Sequence, residues 1–324
     1  MRRVAISAAL IVAITTAGCS GPSQGDPPPL ASGSPSTSAA SPSATPGPGG
    51  VTAPLTGRPT TPALAARPAM AVIVGVTPGA AVPAGLGAAD LVYAEYAEGG
   101  LTRLIALFQS REAPTIGPVI STRPADPKLL GVFHGCVAFA GGTSGFVKQF
   151  APLGVCELNI EGQAYTSTAR LYAAAERGHT APTPPSSFAG PGQPLAVSGL
   201  ANATRLIVTV PGRSSQTWAY DPKATVWRSS IGGVAMAVTT VEVLTMPYRA
   251  ITVHSPLRTL PSASVVGVGG ATVVSGPHAA NGSWYRPSAK GLANIVDASK
   301  LLMHPLAGST WVILAPTGTR VEIR

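Results

Sequence analysis

Charged side chains are concentrated between residues 90 and 123, although charged residues make up only 11% of the chain. They are three glutamates, three arginines and one aspartate: Asp90, Glu95, Glu98, Arg103, Arg111, Glu112 and Arg123. Two carboxylates close in sequence are the groups that glycoside cleavage needs. In a β-strand, however, a spacing of three puts Glu95 and Glu98 on opposite faces. The pattern therefore favours an arginine–carboxylate pair in which Arg103 faces one glutamate across a turn, and this pair is either structural or part of a ligand-binding site.

A glycine-rich segment, Ala140-Gly-Gly-Thr-Ser-Gly145, is the second candidate for chemistry. Its backbone N–H groups and the hydroxyls of Thr143 and Ser144 suit an anion, for which Arg123 would be the charged partner. The segment lacks the lysine of a phosphate-binding P-loop, and Phe146 stands where a nucleophile elbow needs glycine. It therefore predicts a turn-forming loop or a binding loop. The candidate binding residues are Glu95, Glu98, Arg103, Arg123, Thr143 and Ser144.

The elements that must position these residues alternate between strands and short helices. Strands are expected at 70–76, 91–98, 101–108 and 134–140, with Gly99-Gly100 as a hairpin turn and helices at 126–132 and 166–177. After residue 204 the chain consists of short β-branched segments separated by Gly, Pro and Asn. The sequence therefore predicts an α+β fold, with a mixed N-terminal lobe packed against a mainly β C-terminal lobe.

The chain holds three cysteines, of which Cys136 and Cys156 lie in the expected folded part. In an oxidising compartment such a pair predicts a disulfide, which would stabilise the fold by roughly 3 kcal/mol. Two buried thiols that never meet are the alternative. The five histidines show no metal-ligand spacing, so neither a metal nor another cofactor is expected.

The third cysteine, Cys19, is the last residue of a pattern that is typical of lipoprotein signal peptides. Arg2 and Arg3 precede an apolar run, Val4 to Thr16, that is too short to span a membrane, and small residues lead to Cys19. This pattern predicts cleavage before Cys19 and attachment of diacylglycerol to its thiol. A soluble secreted protein with an incidental cysteine is the alternative. The expected location is the outer face of the cell membrane, to which the N-terminal lipid anchors the chain.

Composition divides the chain into four parts. A signal peptide is expected at 1–18, a disordered Pro/Ser/Ala-rich tether at 19–52, the mixed lobe at 53–195 and the mainly β lobe at 196–324. Removal of the signal peptide takes away Arg2 and Arg3, so the formal charge falls from +9 to +7, with 22 − 2 = 20 basic against 13 acidic residues. This modest positive charge suits a protein that lies near anionic lipid or wall polymer. Nucleic acid is not expected as a partner, because no Lys/Arg cluster with interleaved aromatic residues occurs.

Several motifs recur along the chain in a characteristic order: Pro54-Leu-Thr-Gly57, Ala89-Asp-Leu-Val-Tyr-Ala-Glu95, Glu98-Gly-Gly-Leu-Thr-Arg103, Ile116-Gly-Pro-Val119, Arg123-Pro124, Gly141-Gly-Thr-Ser144, Val268-Gly-Gly-Ala-Thr-Val-Val-Ser-Gly276, Gly282-Ser-Trp284 and Pro305-Leu-Ala-Gly-Ser-Thr-Trp-Val312. In this order and spacing they resemble the YerB-like lipoproteins of Gram-positive bacteria, whose two-part domain has no assigned function. The resemblance implies location and architecture but no catalytic role. Ile120 stands where family members carry Arg, and Thr183-Pro184 replaces a His-Asn pair, which implies that part of a polar site is lost.

Three functions remain open at this level. The first is a non-catalytic, lipid-anchored envelope adaptor that binds a protein partner. The second is a protein that binds a small ligand or wall glycan between the lobes, for which Tyr93, Tyr96, Trp284 and Tyr285 are candidate stacking residues. The third is a hydrolase or transferase acting on envelope polymer. The adaptor is the favoured interpretation, because no metal motif occurs and part of the family's polar pattern is lost.

Overall fold

One large sheet takes strands from both halves of the chain. The computed structural model describes residues 50–77, 79, 81–175, 182, 184, 185, 188, 195, 201–254 and 257–324. The predicted signal peptide, Cys19 and nearly all of the predicted tether lie outside the described residues. The residues from 41 to 324 group into one unit.

The described residues form twenty strands, four short α-helices and three 3₁₀ turns. The strands are β1 (Val51–Thr52), β2 (Pro59–Thr60), β3 (Met70–Val76), β4 (Leu91–Tyr96), β5 (Thr102–Phe108), β6 (Cys136–Phe139), β7 (Cys156–Asn159), β8 (Ala201–Asn202), β9 (Arg205–Thr209), β10 (Gln216–Asp221), β11 (Val226–Ile231), β12 (Val234–Val238), β13 (Thr240–Met246), β14 (Tyr248–His254), β15 (Leu257–Ala263), β16 (Gly267–Ser275), β17 (His278–Arg286), β18 (Asn294–Asp297), β19 (Thr310–Pro316) and β20 (Arg320–Ile323). The helices are α1 (Pro62–Ala65), α2 (Asp126–Leu130), α3 (Ser144–Val147) and α4 (Thr168–Ala174), and the 3₁₀ turns are Leu86–Ala88, Glu98–Gly100 and Ala151–Leu153.

The large sheet has the strand order β18-β17-β16-β13-β19-β4-β5-β3-β6-β7, and β8 pairs with β17. At its centre β19 runs parallel to both β4 and β13. β3 is buried along its whole length, which explains why its sequence is a continuous apolar run rather than an alternating one. The glycine pair after β4 returns the chain antiparallel as β5, so that Glu95 lies opposite Arg103.

Each face of the large sheet is covered by a different layer. One face packs on a five-stranded sheet of order β12-β11-β10-β9-β20. The core between the two sheets contains Trp218, Trp227 and Trp311, and the rings of Trp218 and Trp311 lie 5.5 Å apart. On the other face, Leu129 and Phe133 in and after α2 pack among apolar residues of the sheet.

A two-stranded hairpin, β14 with β15, forms the element that we call the arm. Its inner face carries Ile251, Val253 and Leu260, which pack against Phe146 of α3. An isolated two-stranded hairpin is marginally stable in water. The arm therefore depends on this apolar contact and on the bonds at its base, which are described below.

The predicted α+β class is confirmed, with helices confined to the N-terminal part and strands dominating after residue 201. Both central helices are shorter than predicted, since α2 ends before Gly131 and α4 begins at the cap Ser167. The boundary between the predicted lobes at residue 195 stays a prediction. Strands from both sides of it pair directly, as β4 does with β19.

Parallel pairing of β6 with β7 places Cys136 directly opposite Cys156, and a disulfide joins them. The two residues are 20 positions apart in the chain. Pairing of the edge strand β7 with its neighbour β6, rather than a local turn, brings the thiols together. In the described part of the chain, no helix has both the length and the apolar character required to cross a bilayer.

Candidate functional site

Arg103 lies at the centre of a buried ion cluster. Its Nη1 donates to Glu95 Oε2 at 2.6 Å and to Asp126 Oδ1 at 3.1 Å, while its Nη2 donates to Asp126 Oδ2 at 2.7 Å. The three side chains are at most 2% exposed. One guanidinium thus holds two carboxylates, one of them through a bidentate contact, inside the protein.

Two different elements bring these groups together. Antiparallel pairing sets Glu95 opposite Arg103, and Asp126, the first residue of α2, reaches the same face of the sheet. The Asp126 carboxylate also accepts hydrogen bonds from the Arg123 backbone N–H at 2.7 Å and the Thr122 hydroxyl at 3.0 Å. Sequence reasoning missed Asp126 as part of this cluster. The signal that was present is its place at a helix start just before Pro127, where an aspartate usually serves the local backbone.

Electrostatics in the cluster follow from two carboxylates sharing one cation. Burial raises the pKa of Glu95 to about 7, although Arg103 opposes the shift. Burial by itself lowers the pKa of Arg103, but Asp126 and Glu95 outweigh it and hold the Arg103 pKa above its usual range. The guanidinium therefore stays charged. Glu95, whose pKa burial raises, takes up a proton more readily than an exposed glutamate does.

Arg123 and Glu98 form a separate pair nearer the surface. Arg123 Nη2 donates to Glu98 Oε1, with the two side chains 11% and 32% exposed. Burial tends to raise the Glu98 pKa, but the hydrogen bond and charge of Arg123 hold it below its ordinary value. Glu95 and Glu98 thus have different arginine partners, and the structure does not bring the two carboxylates together as a catalytic pair.

The glycine-rich loop adjoins the chain beside Arg123. The Thr122 backbone N–H donates to Gly141 O at 3.1 Å. At Gly142 a Cβ would lie 2.5 Å from Thr122 Cγ2, so this close approach requires glycine. Ser144 opens α3 and is exposed, and Thr143 precedes it. The loop thereby fixes the position of α3, whose Phe146 supports the arm.

Glu95 of the buried ion cluster, together with backbone groups of the neighbouring strands, also holds the base of the arm. Glu95 Oε1 accepts the Ala263 backbone N–H at 3.3 Å. Tyr248 donates its hydroxyl hydrogen to Leu314 O at 2.6 Å and accepts the Tyr96 N–H at 3.3 Å. The buried ion cluster is therefore joined directly to Ala263, the last residue of the arm, and the strands beside it are joined to Tyr248, the first.

Arg213 reinforces this junction from the five-stranded sheet side. It donates to the carbonyls of Leu101 at 3.1 Å and Ala97 at 3.0 Å, on either side of the turn between β4 and β5. Its guanidinium also lies 4.7 Å from the centre of the Tyr96 ring. Arg213, which sequence reasoning did not single out, thus fixes the turn that carries Glu98 from the side of the five-stranded sheet.

The outer face of the arm is exposed and carries no acidic group. Side chains that alternate with the inner apolar set are exposed along both strands: Ala250, Thr252, His254, Leu257 and Thr259. Leu257 is 75% exposed. Arg249 and Arg258 are also exposed, and no Asp or Glu occurs from residue 248 to 263. The arm therefore presents a small, partly apolar outer face, while Arg249 and Arg258 belong by alternation to the rows of the inner side chains.

A second buried polar group, which sequence reasoning missed, is Glu242 of β13, which lies on the same face of the large sheet as Tyr93, across Val312. Glu242 is 8% exposed, and burial raises its pKa to about 7. Burial likewise raises the Tyr93 pKa, with Arg286 lowering it and Glu242 raising it further. Tyr93 therefore lies within the electric field of both charged groups. The only available signal in the sequence was a glutamate within an otherwise apolar strand.

We expect Glu242 to make stability depend on pH. Its folded pKa of about 7 exceeds its ordinary value of 4.5, so the folded state binds more protons between these two values. The free energy of unfolding should therefore fall by about 3 kcal/mol as the pH rises through this window. Glu242→Gln should remove that part of the slope in urea titrations at several pH values.

The matched control for this experiment is Glu161→Gln, which alters an exposed carboxylate just after β7. Glu95, whose pKa is also raised, is present in every variant and cancels in the comparison. Equal pH slopes for the wild type and for Glu242→Gln would contradict the assignment.

The aromatic candidates for saccharide stacking are dispersed. Trp284 is 1% exposed and donates its indole N–H to Thr245 O at 2.8 Å, as a core residue does. Tyr96 lies under Arg213, whereas Tyr285 is 50% exposed. Tyr93 packs against Phe133, with ring centres 6.4 Å apart. In the described residues, no group of three or more His, Cys, Asp or Glu side chains is placed to hold a metal ion.

The protein has an α+β fold. Glu95 and Arg103, the charged residues of its sequence motifs, are paired with each other and with Asp126 inside the protein. Residues 55–188 match the N-terminal domain of a family described as a protein of unknown function, DUF3048. The chain is similar to "Putative lipoprotein YerB" of Bacillus subtilis (strain 168), with 39% identity over 97 residues, which are 30% of this chain and 29% of that relative.

The crystal structure of the YerB protein from Bacillus subtilis has the same fold. The TM-score is 0.65 at 20% identity, and the match covers 84% of this chain and 99% of that one. These findings agree with the motifs in the sequence and support a YerB-like family for the chain. None of the matched proteins carries an activity in its name, so no catalytic role passes to this chain.

Proposed function

We propose that the protein is a lipid-anchored, non-catalytic adaptor of the cell envelope that binds a protein partner through the outer face of the arm. The observation that carries the proposal is the pairing of Arg103 with Glu95 and Asp126 in the interior. Buried, mutually paired charges hold structure in place, whereas a catalytic or binding group must reach its substrate. Here they are tied to the base of the arm through Ala263.

The surface of the arm suits a protein partner. Leu257 offers an exposed apolar anchor, and Thr252 and Thr259 flank it as directly paired, small polar residues. The hairpin carries arginines and no acidic residue, so its net positive charge would favour a partner with acidic groups. The name of the Bacillus relative supports a lipoprotein. Anchoring through Cys19 at the outer membrane face is part of the same proposal.

The test is site-specific photo-crosslinking in cells. A photoreactive residue at Thr252 or Thr259 should capture the same envelope protein, because both positions lie on the outer face of the arm. The matched control is Thr217, an exposed strand residue of the five-stranded sheet, which should not capture it. Leu257→Asp, which puts a charge in the centre of the outer face, should abolish capture without loss of folded protein.

The competing functions give different results in this experiment. Capture of the same background from Thr252, Thr259 and Thr217 would overturn the adaptor. Binding of wall glycan or of a small ligand would then be the function to test. An enzyme acting on envelope polymer would require a reactive group that reaches solvent, and Ser144 is the exposed hydroxyl in the glycine-rich loop. Ser144→Ala should leave the partner captured by the arm unchanged.

A further inference from the structure

The arm has a long sheet edge that is unpaired in the described part of the chain. β14 and β15 pair only with each other and form a separate two-stranded sheet. On an edge strand, every second residue has its N–H and C=O pointing away from the partner strand. Such groups are a template on which another chain can add a strand. The hydrogen-bond pattern of the hairpin determines which residues carry them.

One bond at the base of the arm sets this pattern. Ser264 donates its backbone N–H to Pro247 O at 2.9 Å, so the pair that precedes Tyr248 and Ala263 is a hydrogen-bonded pair. Hydrogen-bonded and non-hydrogen-bonded pairs alternate along an antiparallel ladder. The first pair of the arm is therefore not hydrogen-bonded, which agrees with the donation of the Ala263 N–H to Glu95 rather than to Tyr248.

By the same alternation, the outward backbone groups of β14 belong to Ala250, Thr252 and His254. All three residues are exposed, and among the described residues their backbone groups accept or donate no hydrogen bond. β14 has seven residues without proline or glycine, and most of them favour strands. The strands at the ends of the two larger sheets, β18, β7, β12 and β20, have only four or five.

The opposite edge of the arm, along β15, is blocked. Pro261 is paired with Ala250, in the row whose N–H groups would point outward, and proline has no N–H. The next outward N–H, that of Ala263, is bonded to Glu95. β15 also lies beside the 3₁₀ turn Glu98–Gly100. Proteins protect sheet edges with proline or by covering them, and β15 has both protections whereas β14 has no proline and an exposed outward row.

The charge of the arm decides which kind of strand suits this edge. Arg249 on β14 and Arg258 on β15 are exposed, and no Asp or Glu occurs from residue 248 to 263. Addition of β14 from a second copy would bring two positively charged arms together, which charge repulsion opposes. An added strand with an acidic residue opposite Arg249 would instead form a favourable cross-strand pair. The edge therefore favours an acidic segment of another protein over a second copy.

We propose that the arm binds its partner by strand addition, in which an extended, acidic segment of another envelope protein pairs with β14. The outward N–H and C=O groups of Ala250, Thr252 and His254 form the new ladder, and Arg249 faces an acidic side chain of the added segment. The side chains of that segment extend the outer face of the arm beside Thr252. This mode of binding rests on the adaptor function and specifies how the partner is held.

Photo-crosslinking in cells can determine the register of the added strand. A photoreactive residue is placed in turn at Ala250, Thr252 and His254 of the full-length protein, and mass spectrometry locates the residue of the partner to which each is attached. Strand addition predicts attachment points that move along one acidic segment by about two residues for each step along β14. Attachment of all three to a single point, to scattered segments or to a second copy of this protein would overturn the proposal.

Proline variants test the backbone bonds separately. Thr252→Pro removes an outward N–H but no bond of the hairpin, and edge strands tolerate proline at such positions. With the photoreactive residue at Ala250, this variant should lower capture about tenfold, because a carbonyl of the partner loses its donor. Thr252→Val keeps the N–H, and Thr259→Pro makes the same change on β15, so both should capture like the wild type.

The outcomes separate strand addition from the adaptor function itself. Circular dichroism establishes that each variant is folded, and the register experiment needs no proline if Thr252→Pro is not. Undiminished capture by folded Thr252→Pro would overturn strand addition and leave the adaptor function intact. Absence of specific capture from all three positions on β14 and from Thr259 would overturn both.

Discussion

Replacing Arg103 with methionine should lower the free energy of unfolding by about 3–5 kcal/mol. The substitution keeps an unbranched side chain but leaves Glu95 and Asp126 buried without their cation. Two like charges then face each other in a site that excludes water. Because Glu95 also accepts the Ala263 N–H, the arm should loosen along with the sheet. Urea denaturation followed by tryptophan fluorescence measures the loss, since all four tryptophans are buried.

Two controls make this result specific to the buried cluster. Arg228→Met removes an arginine that pairs with Asp221 at the surface, and it should leave the denaturation midpoint unchanged within error. The triple variant Arg103→Met, Glu95→Gln and Asp126→Asn removes the stranded charges and should recover part of the lost stability. If Arg103→Met unfolds at the same urea concentration as Arg228→Met, the cluster does not hold the fold together.

Cys19→Ala should abolish incorporation of fatty acid into the protein completely. The thiol is the acceptor of the diacylglycerol in the pattern that the sequence contains, and alanine has no atom that can replace it. Each buried methylene of an acyl chain contributes about 0.8 kcal/mol to membrane binding, so loss of the lipid removes the anchor. Metabolic labelling with an alkyne-tagged fatty acid, followed by detection on the immunoprecipitated protein, measures the effect.

Ser20→Ala, one residue further on, is the matched control and should be labelled like the wild type. Mass spectrometry of the N-terminus adds a second readout. The wild type should begin at a modified Cys19, whereas Cys19→Ala should not be cleaved at that position. Undiminished labelling of Cys19→Ala would contradict the lipoprotein assignment and would favour a secreted protein with an incidental cysteine.

The sequence by itself determined the features that depend on local pattern. The apolar run of β3, the Gly99-Gly100 turn and the β-branched segments after residue 204 predicted elements that the structure contains. Their order was sufficient for the α+β class, which is confirmed, because strand periodicity and turn chemistry act over a few residues. The position of Arg103 opposite Glu95 also follows from local pattern, since a tight hairpin fixes the register of its two strands.

Only the tertiary structure decided which distant groups meet. Asp126 joins Arg103 because α2 packs on one face of the sheet, and Glu242 comes near Tyr93 because β19 lies between their strands. Neither neighbour can be derived from spacing, since the first depends on how α2 packs on the sheet and the second on the parallel pairing of β19 with both β4 and β13. Burial then decides the chemistry, because the same glutamate is an ordinary acid in water and a group with a raised pKa in the interior.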